Sequence, residues 1–224
     1  MSVVILWFPG TNCDRDTAFA FEKAGARTKI CRYTETQLPP KTDLVIVPGG
    51  FSYGDYLRCG AIARSSPIMS ATRAFADSGG KVLGICNGFQ ILLEAGMLPG
   101  AMRRNENLRF ISRFQTMRVC SAKNRFLAKL KESQLLTMPI AHAEGSYYAD
   151  YNTLKSMQDN DQIALVYADA DGKNANVNGA QLQIAAICNK DKNVFALMPH
   201  PERAVSSLCG GKDGLALIKS VLES

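Results

Sequence analysis

Residues 81–95 read KVLGICNGFQILLEA, and this stretch decides the fold. Its first five residues are a short apolar run with the character of a buried strand. Residues 87–95 have the content of a helix stopped by Gly96. Between them, Gly84-Ile85-Cys86-Asn87-Gly88 has the form of a nucleophile elbow, with cysteine where serine is more familiar. Strand and helix approach closely across such a turn, so a Cβ at either glycine would crowd it. The turn lifts the sulfur out of the carboxyl edge of a sheet, and a helix N-terminus favours thiolate over thiol. The bland alternative is a buried cysteine at a strand end. The paired glycines favour the nucleophile.

The flanking sequence continues the alternation of strands and helices. Residues 3–8 form a β-prone run ended by Pro9-Gly10, and residues 14–24 place Ala18, Phe19, Phe21 and Ala24 at helical spacing before Gly25. Residues 28–33 and 44–47 read as further strands, the second ended by Pro48-Gly49-Gly50. Ser66-Pro67 has the form of an N-cap with proline at N1, opening a helix that stops at Gly79-Gly80. The order βαββαβα predicts a parallel, doubly wound sheet. After Gly100 the strand candidates are 108–120, 135–140, 163–167, 182–188 and 194–198, with Asp171-Gly172 and Asn178-Gly179 as turn signals. A short basic helix is expected over 124–131 and an amphipathic one over 213–222. No repeat or linker divides the chain, which reads as one domain.

At 224 residues and 46% hydrophobic content, the chain can bury a core without disulfides or metal. No apolar run approaches the ~20 residues of a membrane span, and the N-terminus has no basic start and only a six-residue apolar stretch. A cytoplasmic protein with no membrane partner is expected. Seven cysteines, at positions 13, 31, 59, 86, 120, 188 and 209, include no C-x-x-C pair, and only two histidines accompany them. Neither a disulfide framework nor a metal site is predicted. Net charge is +6, yet residues 101–131 carry +8 and the remainder −2. That segment reads equally as a docking face for an acidic partner or phosphate and as a solvated face. Nucleic-acid binding is disfavoured, because no fingerprint module is visible and Phe110, Phe114 and Phe126 fit core spacing.

A cysteine nucleophile needs a base, and His142 and His200 are the candidates. His200 sits in Pro199-His200-Pro201-Glu202, directly after a strand candidate, where two prolines confine the backbone to extended conformations. Glu202 points the same way in an extended segment and can accept the ring's other N–H. Cys86, His200 and Glu202 then have the roles of nucleophile, general base and acid, and orienter. Attack on an acyl group creates an oxyanion, which needs backbone donors. The Asn87 N–H is one. Gly49-Gly50 can offer a second, although a plain turn explains those glycines equally well. Neither G-x-x-x-x-G-K-[ST] nor G-x-G-x-x-G occurs, so no nucleotide site is expected on this chain.

Pro48-Gly49-Gly50, residues 83–90 (LGICNGFQ) and residues 199–202 (PHPE) resemble the class I, or triad, glutamine amidotransferases. Within that family, residues 9–14 (PGTNCD), 50–61 (GFSYGDYLRCGA) and 139–145 (PIAHAEG) resemble the glutaminase subunits of de novo purine synthesis. The resemblance implies a flavodoxin-like α/β fold, a doubly wound and mostly parallel sheet with helices on both faces and extra antiparallel strands. It implies a single glutamine amidotransferase type 1 domain over residues 1–224, in its stand-alone form. The implied activity is hydrolysis of glutamine to glutamate through a Cys86 thioester, assisted by His200 and Glu202. Gly50 and Asn87 amides would bind the oxyanion, Gln90 would face the substrate, and Ala143, Glu144 and Gly145 would line its amino-acid end. The ammonia would pass to a large ATP-dependent synthetase subunit that aminates formylglycinamide ribonucleotide, with a small third subunit in the complex. ATP and magnesium would belong to that partner, with no cofactor on this chain.

Two other classes compete. A cysteine-based redox sensor or small hydrolase of the same α/β shape would keep the elbow cysteine but needs neither Pro-His-Pro-Glu nor Gln90. A catalytically silent binding module is expected to lack Cys86 or His200, and both are present.

Overall fold

Strands that are apolar at every position need both faces covered, and the first half of the chain supplies them between helices. The computed structural model describes residues 1–223. In chain order they form β1 (Ser2–Trp7), α1 (Asp14–Lys23), β2 (Arg27–Arg32), β3 (Leu44–Val47), α2 (Pro67–Asp77), β4 (Lys81–Ile85) and α3 (Asn87–Glu94). All residues of β3 and β4 are buried. The second half adds β5 (Ala101–Arg103), β6 (Ile111–Val119), β7 (Leu135–His142), β8 (Ser146–Tyr148), α4 (Tyr151–Asp159), β9 (Ile163–Ala168), β10 (Ile184–Cys188), β11 (Val194–Leu197) and α5 (Asp213–Leu222).

One sheet runs through both halves in the order β2-β1-β3-β4-β11-β10-β9-β6-β7. The five strands from β2 to β11 are mutually parallel. From β11 to β7 every pairing is antiparallel. The mixed, flavodoxin-like α/β architecture is thus the expected one, with the strand-rich second half extending the sheet. β3, β4 and β11 lie side by side and parallel, so Gly49-Gly50, Cys86 and His200, which follow them, emerge at one edge. That carboxyl edge is where α/β sheets bind ligands.

One local expectation fails, and two elements went unread. Residues 124–131 are turns: Asn124 accepts the N–H groups of Phe126 and Leu127 (2.9 Å each) as an N-cap would, but the Lys129 N–H then donates to Ser220 Oγ (3.1 Å) and the Leu130 N–H to the Leu127 carbonyl (2.8 Å), so the helix does not propagate. Helix α4 has no strong apolar stripe, with only Met157 buried. Its signal is the Asp150 cap, which accepts the Thr153 N–H at 3.0 Å. The small β5–β8 ribbon is too short to read from pattern alone.

The elbow rests on two glycines. A Cβ on Gly84 would lie 2.7 Å from Leu92 Cδ1 and 2.9 Å from the Gly88 carbonyl oxygen, and one on Gly88 would overlap the Val47 carbonyl of β3. Gly88→Ala should therefore destabilise the fold by roughly 1–3 kcal/mol or more through overpacking, whereas Gly211→Ala, whose nearest neighbour would be 3.8 Å away, should be close to neutral. Urea denaturation checks the pair; a Gly88→Ala midpoint as high as that of Gly211→Ala would contradict the close approach of helix to strand.

Candidate active site

Cys86 joins β4 to α3 at φ +50° and ψ −105°, a conformation that L-residues adopt only when their surroundings impose it. Its N–H donates to the Leu197 carbonyl of β11 (2.8 Å), and its carbonyl accepts from Phe89 and Gln90 in the first turn of α3. The sulfur lies 3.6 Å from the Ala141 carbonyl of β7. Strand and helix thus fix the backbone on either side of the thiol.

His200 follows β11 and is pinned by its own N–H, which donates to the Pro139 carbonyl at 2.8 Å. Its Nδ1 is 2.6 Å from Glu202 Oε1, and both side chains are buried. Burial works against an imidazolium here. The Glu202 carboxylate and the sulfurs of Cys86 and Cys13 outweigh it and hold His200 well above the ordinary histidine range. The buried Nε2 has no hydrogen-bond partner among the described residues, which leaves it able to exchange a proton with a substrate. Gly49 makes the room: a Cβ there would come 2.9 Å from His200 Cε1 and 3.1 Å from Cys13 Sγ.

Gly50 has φ +143°, a region that favours glycine, and a Cβ would meet the Asn12 nitrogen at 2.7 Å. Its bridge to Thr11 is closed by the neighbouring Phe51 N–H on the Gly10 carbonyl (3.1 Å), which leaves the Gly50 N–H out of that exchange. A cleft of about 240 Å³ opens here, lined by Gly50, Cys86, Ala141, His200 and Arg203 among others. The Asn87 N–H, first in α3, is the adjacent backbone donor.

Gln90 and the 143–145 loop lie in a band of hydrogen bonds beside the cleft, without lining it. Gln90 Nε2 donates to the Glu144 carbonyl (2.7 Å), and its Oε1 accepts from Asn87 Nδ2 (2.9 Å). Asn87 Oδ1 in turn accepts the Ser52 N–H at 3.0 Å. The loop itself is held by Asn105, to which the sequence reading assigned no role, and by Asn178, which it read only as part of a turn.

Cys13 and Arg203 also went unassigned. Arg203 donates to Cys13 Sγ at 3.0 Å and lies 3.8 Å from Asp16. Donor atoms of Cys13, His200 and Glu202 lie within 4.8 Å of one another, the spacing of a metal site. In this arrangement the guanidinium engages the sulfur and the carboxylate engages the imidazole. The cluster reads as charge pairing around the base. Both cysteine and arginine belong to motifs, PGTNCD and PHPER, whose spacing alone carries no role for them.

His142 is a different kind of histidine. It is buried, its Nδ1 is 3.1 Å from Asn105 Oδ1, and its Nε2 has no partner among the described residues. Burial and then the charge of His200 push it down to about 4. As pH falls, the unfolded chain takes up a proton near 6.5 that the folded ring refuses until about 4, so this group's stability is present above 6.5 and lost towards 4. The loss amounts to roughly 3 kcal/mol at most. In urea denaturation between about pH 7 and 5, His142→Gln should therefore flatten the decline seen in the parent chain; an unchanged decline would contradict a neutral buried imidazole.

Comparison with known proteins places this geometry in a family. Residues 1–210 match the model of the CobB/CobQ-like glutamine amidotransferase domain. The chain is 51% identical, over all 224 residues and the whole of the relative, to a protein of Sulfurimonas denitrificans named phosphoribosylformylglycinamidine synthase subunit PurQ. A Helicobacter hepaticus protein of the same name is 53% identical, covering 99% of this chain and 97% of that one. Among solved structures, a chain of PurLQS from Thermotoga maritima superposes with a TM-score of 0.89 at 36% identity, covering 99% of this chain and 97% of that chain. The chain belongs to the CobB/CobQ-like glutamine amidotransferase family.

Proposed function

We propose that this chain is the glutaminase subunit of phosphoribosylformylglycinamidine synthase, hydrolysing glutamine and handing ammonia to an ATP-dependent synthetase partner. The observation that carries the reading is the convergence of Cys86, His200 and Glu202 at the ends of β4 and β11, in a chain about half identical to subunits of that enzyme.

Glutamine enters with its side-chain amide over Cys86. With the thiol proton transferred to His200 Nε2, the Cys86 sulfur adds to the amide carbon, and the oxyanion takes hydrogen bonds from the Gly50 and Asn87 N–H groups. His200 protonates the departing nitrogen through Nε2, the C–N bond breaks, and ammonia leaves a γ-glutamyl thioester. His200 then accepts a proton from water, which attacks the thioester; the C–S bond breaks and glutamate is released. Glu202 orients the ring throughout. Gln90 acts at one remove, holding the 143–145 loop through the Glu144 carbonyl, and that loop would meet the amino-acid end of glutamine.

Amination of formylglycinamide ribonucleotide needs phosphoryl activation, and we assign ATP and magnesium to a large synthetase subunit, with a small third subunit completing the assembly. The similar Thermotoga maritima structure is that of PurLQS, which supports such a complex. No helix among the described residues is long and apolar enough to cross a membrane.

In the assembled enzyme, Cys86→Ser should abolish glutamine-dependent synthesis of the amidine product yet keep synthesis driven by ammonium salt at high pH. Loss of both in an intact complex would contradict the division of labour. Glu202→Gln should lower glutamine turnover by roughly two to four orders of magnitude and spare the ammonium-driven reaction; steady-state glutaminase assays check this, and near-normal turnover would remove Glu202 from the triad.

A further inference from the structure

We propose that Asn105 is a positioning residue for the glutamine reaction, clamping residues 142–145 against the nucleophile and tying them to the exposed arch around Arg109. The proposal rests on the amide-hydrolysis reading above and extends it to a residue that touches no reacting atom.

Asn105 is completely buried, and every hydrogen-bonding valence of its side chain is spent on two segments. Oδ1 accepts from the Gly145 N–H (3.1 Å) and lies 3.1 Å from His142 Nδ1. Nδ2 donates to the carbonyls of His142 and Arg109, at 2.8 Å each. The Asn105 backbone N–H adds a fifth bond, to the Ala143 carbonyl at 2.8 Å. One buried amide therefore holds residues 142, 143 and 145 at once. Because Oδ1 already accepts an N–H from Gly145, it can only accept from His142 as well. That fixes the proton on Nδ1, and burial of the unpartnered Nε2 keeps a second proton off the ring, in keeping with the low value of this histidine. Gly145 seals the arrangement, since a Cβ there would overlap the His142 ring.

What the clamp holds in place is the Glu144 carbonyl. That oxygen takes Gln90 Nε2, and Gln90 Oε1 takes Asn87 Nδ2, so the chain of bonds ends at the residue after Cys86. In the other direction, Asn105 holds the arch of residues 106–110, which is exposed throughout. The Leu108 N–H donates to the Asn105 carbonyl (2.9 Å), and the Arg109 carbonyl is one of the four side-chain partners. Arg104 just before this arch is exposed, as are Glu106 and Arg109 on it, and Phe110 reaches the cleft beside Cys86. The part of the basic segment nearest the site is therefore coupled, through a single buried side chain, to the loop expected to receive glutamine.

The bonds from Asn105 are made before and after the chemical step alike, so losing them weakens ground state and transition state together. The test is steady-state glutaminase kinetics on the assembled enzyme carrying Asn105→Ala or Asn105→Asp, with ammonium-driven synthesis measured in the same preparations. The aspartate is isosteric and keeps the acceptor oxygen, but it turns the donor end into an oxygen facing two carbonyls. Both variants should raise KM for glutamine by roughly 10- to 100-fold, with kcat changed less than about threefold, while ammonium-driven synthesis stays at the parental level. A variant with unaltered KM, or one in which kcat falls while KM is kept, would overturn the proposal. Should the alanine variant fail to assemble, the aspartate variant alone decides it. These outcomes leave the Cys86→Ser result untouched, so the clamp can fail without the triad failing.

Discussion

The molecule is organised around one close approach, that of α3 to the end of β3 across Gly88. With no Cβ, Gly88 lets the first helical turn settle against the Val47 carbonyl, and Gly84 lets the strand pass beneath it. That packing forces Cys86 to φ +50°, the one backbone state that turns a strand into a helix within a single residue. The strain is borne by the surrounding strands, through the Cys86 N–H bond to Leu197 and the burial of β3 and β4. A sulfur held this way cannot drift into the core as an ordinary buried cysteine would.

Three neighbouring parallel strands do the rest of the placement. Strands are spaced by about 4.8 Å, so residues just beyond the ends of β3, β4 and β11 are near neighbours without any loop having to reach. Gly50, Cys86 and His200, the proposed backbone donor, nucleophile and base, each follow a different strand at one edge of the sheet. The antiparallel half then serves as a wall. Pro139 of β7 takes the His200 N–H, and the Ala141 carbonyl faces the Cys86 sulfur. The loop that continues from β7 is stapled by asparagines: Asn105 accepts the Gly145 N–H and donates its own backbone N–H to the Ala143 carbonyl, and Asn178 donates to the Gly145 carbonyl.

Much of this was legible in the sequence. The elbow could be read because its glycines and its strand-to-helix change are local, and the base because two prolines stiffen a three-residue segment. The mostly parallel half of the sheet followed from continuous apolar runs separated by helical spacing. What escaped was nonlocal. Asn105 reads as any polar residue in a basic stretch, and only the folded chain shows it saturated by partners some 40 residues away. Cys13 and Arg203 pair across 190 residues. The helix expected over 124–131 is capped by Asn124 but stops within a turn, because the Lys129 N–H bonds Ser220 Oγ on α5, a distant partner that helical spacing does not reveal. Gln90 was expected to face the substrate, but it does not line the cleft and its partner is the Glu144 carbonyl, so it supports the loop expected to contact glutamine.

The central claim is that Cys86, and not the neighbouring buried Cys13, carries the acyl group. The most direct measurement is an acid quench of the enzyme during turnover of isotopically labelled glutamine, followed by peptide mapping by mass spectrometry. The account predicts a hydroxylamine-labile glutamyl label on the peptide containing Cys86, with the peptide containing Cys13 unmodified. Label on Cys13, or turnover with label on neither cysteine, would contradict it.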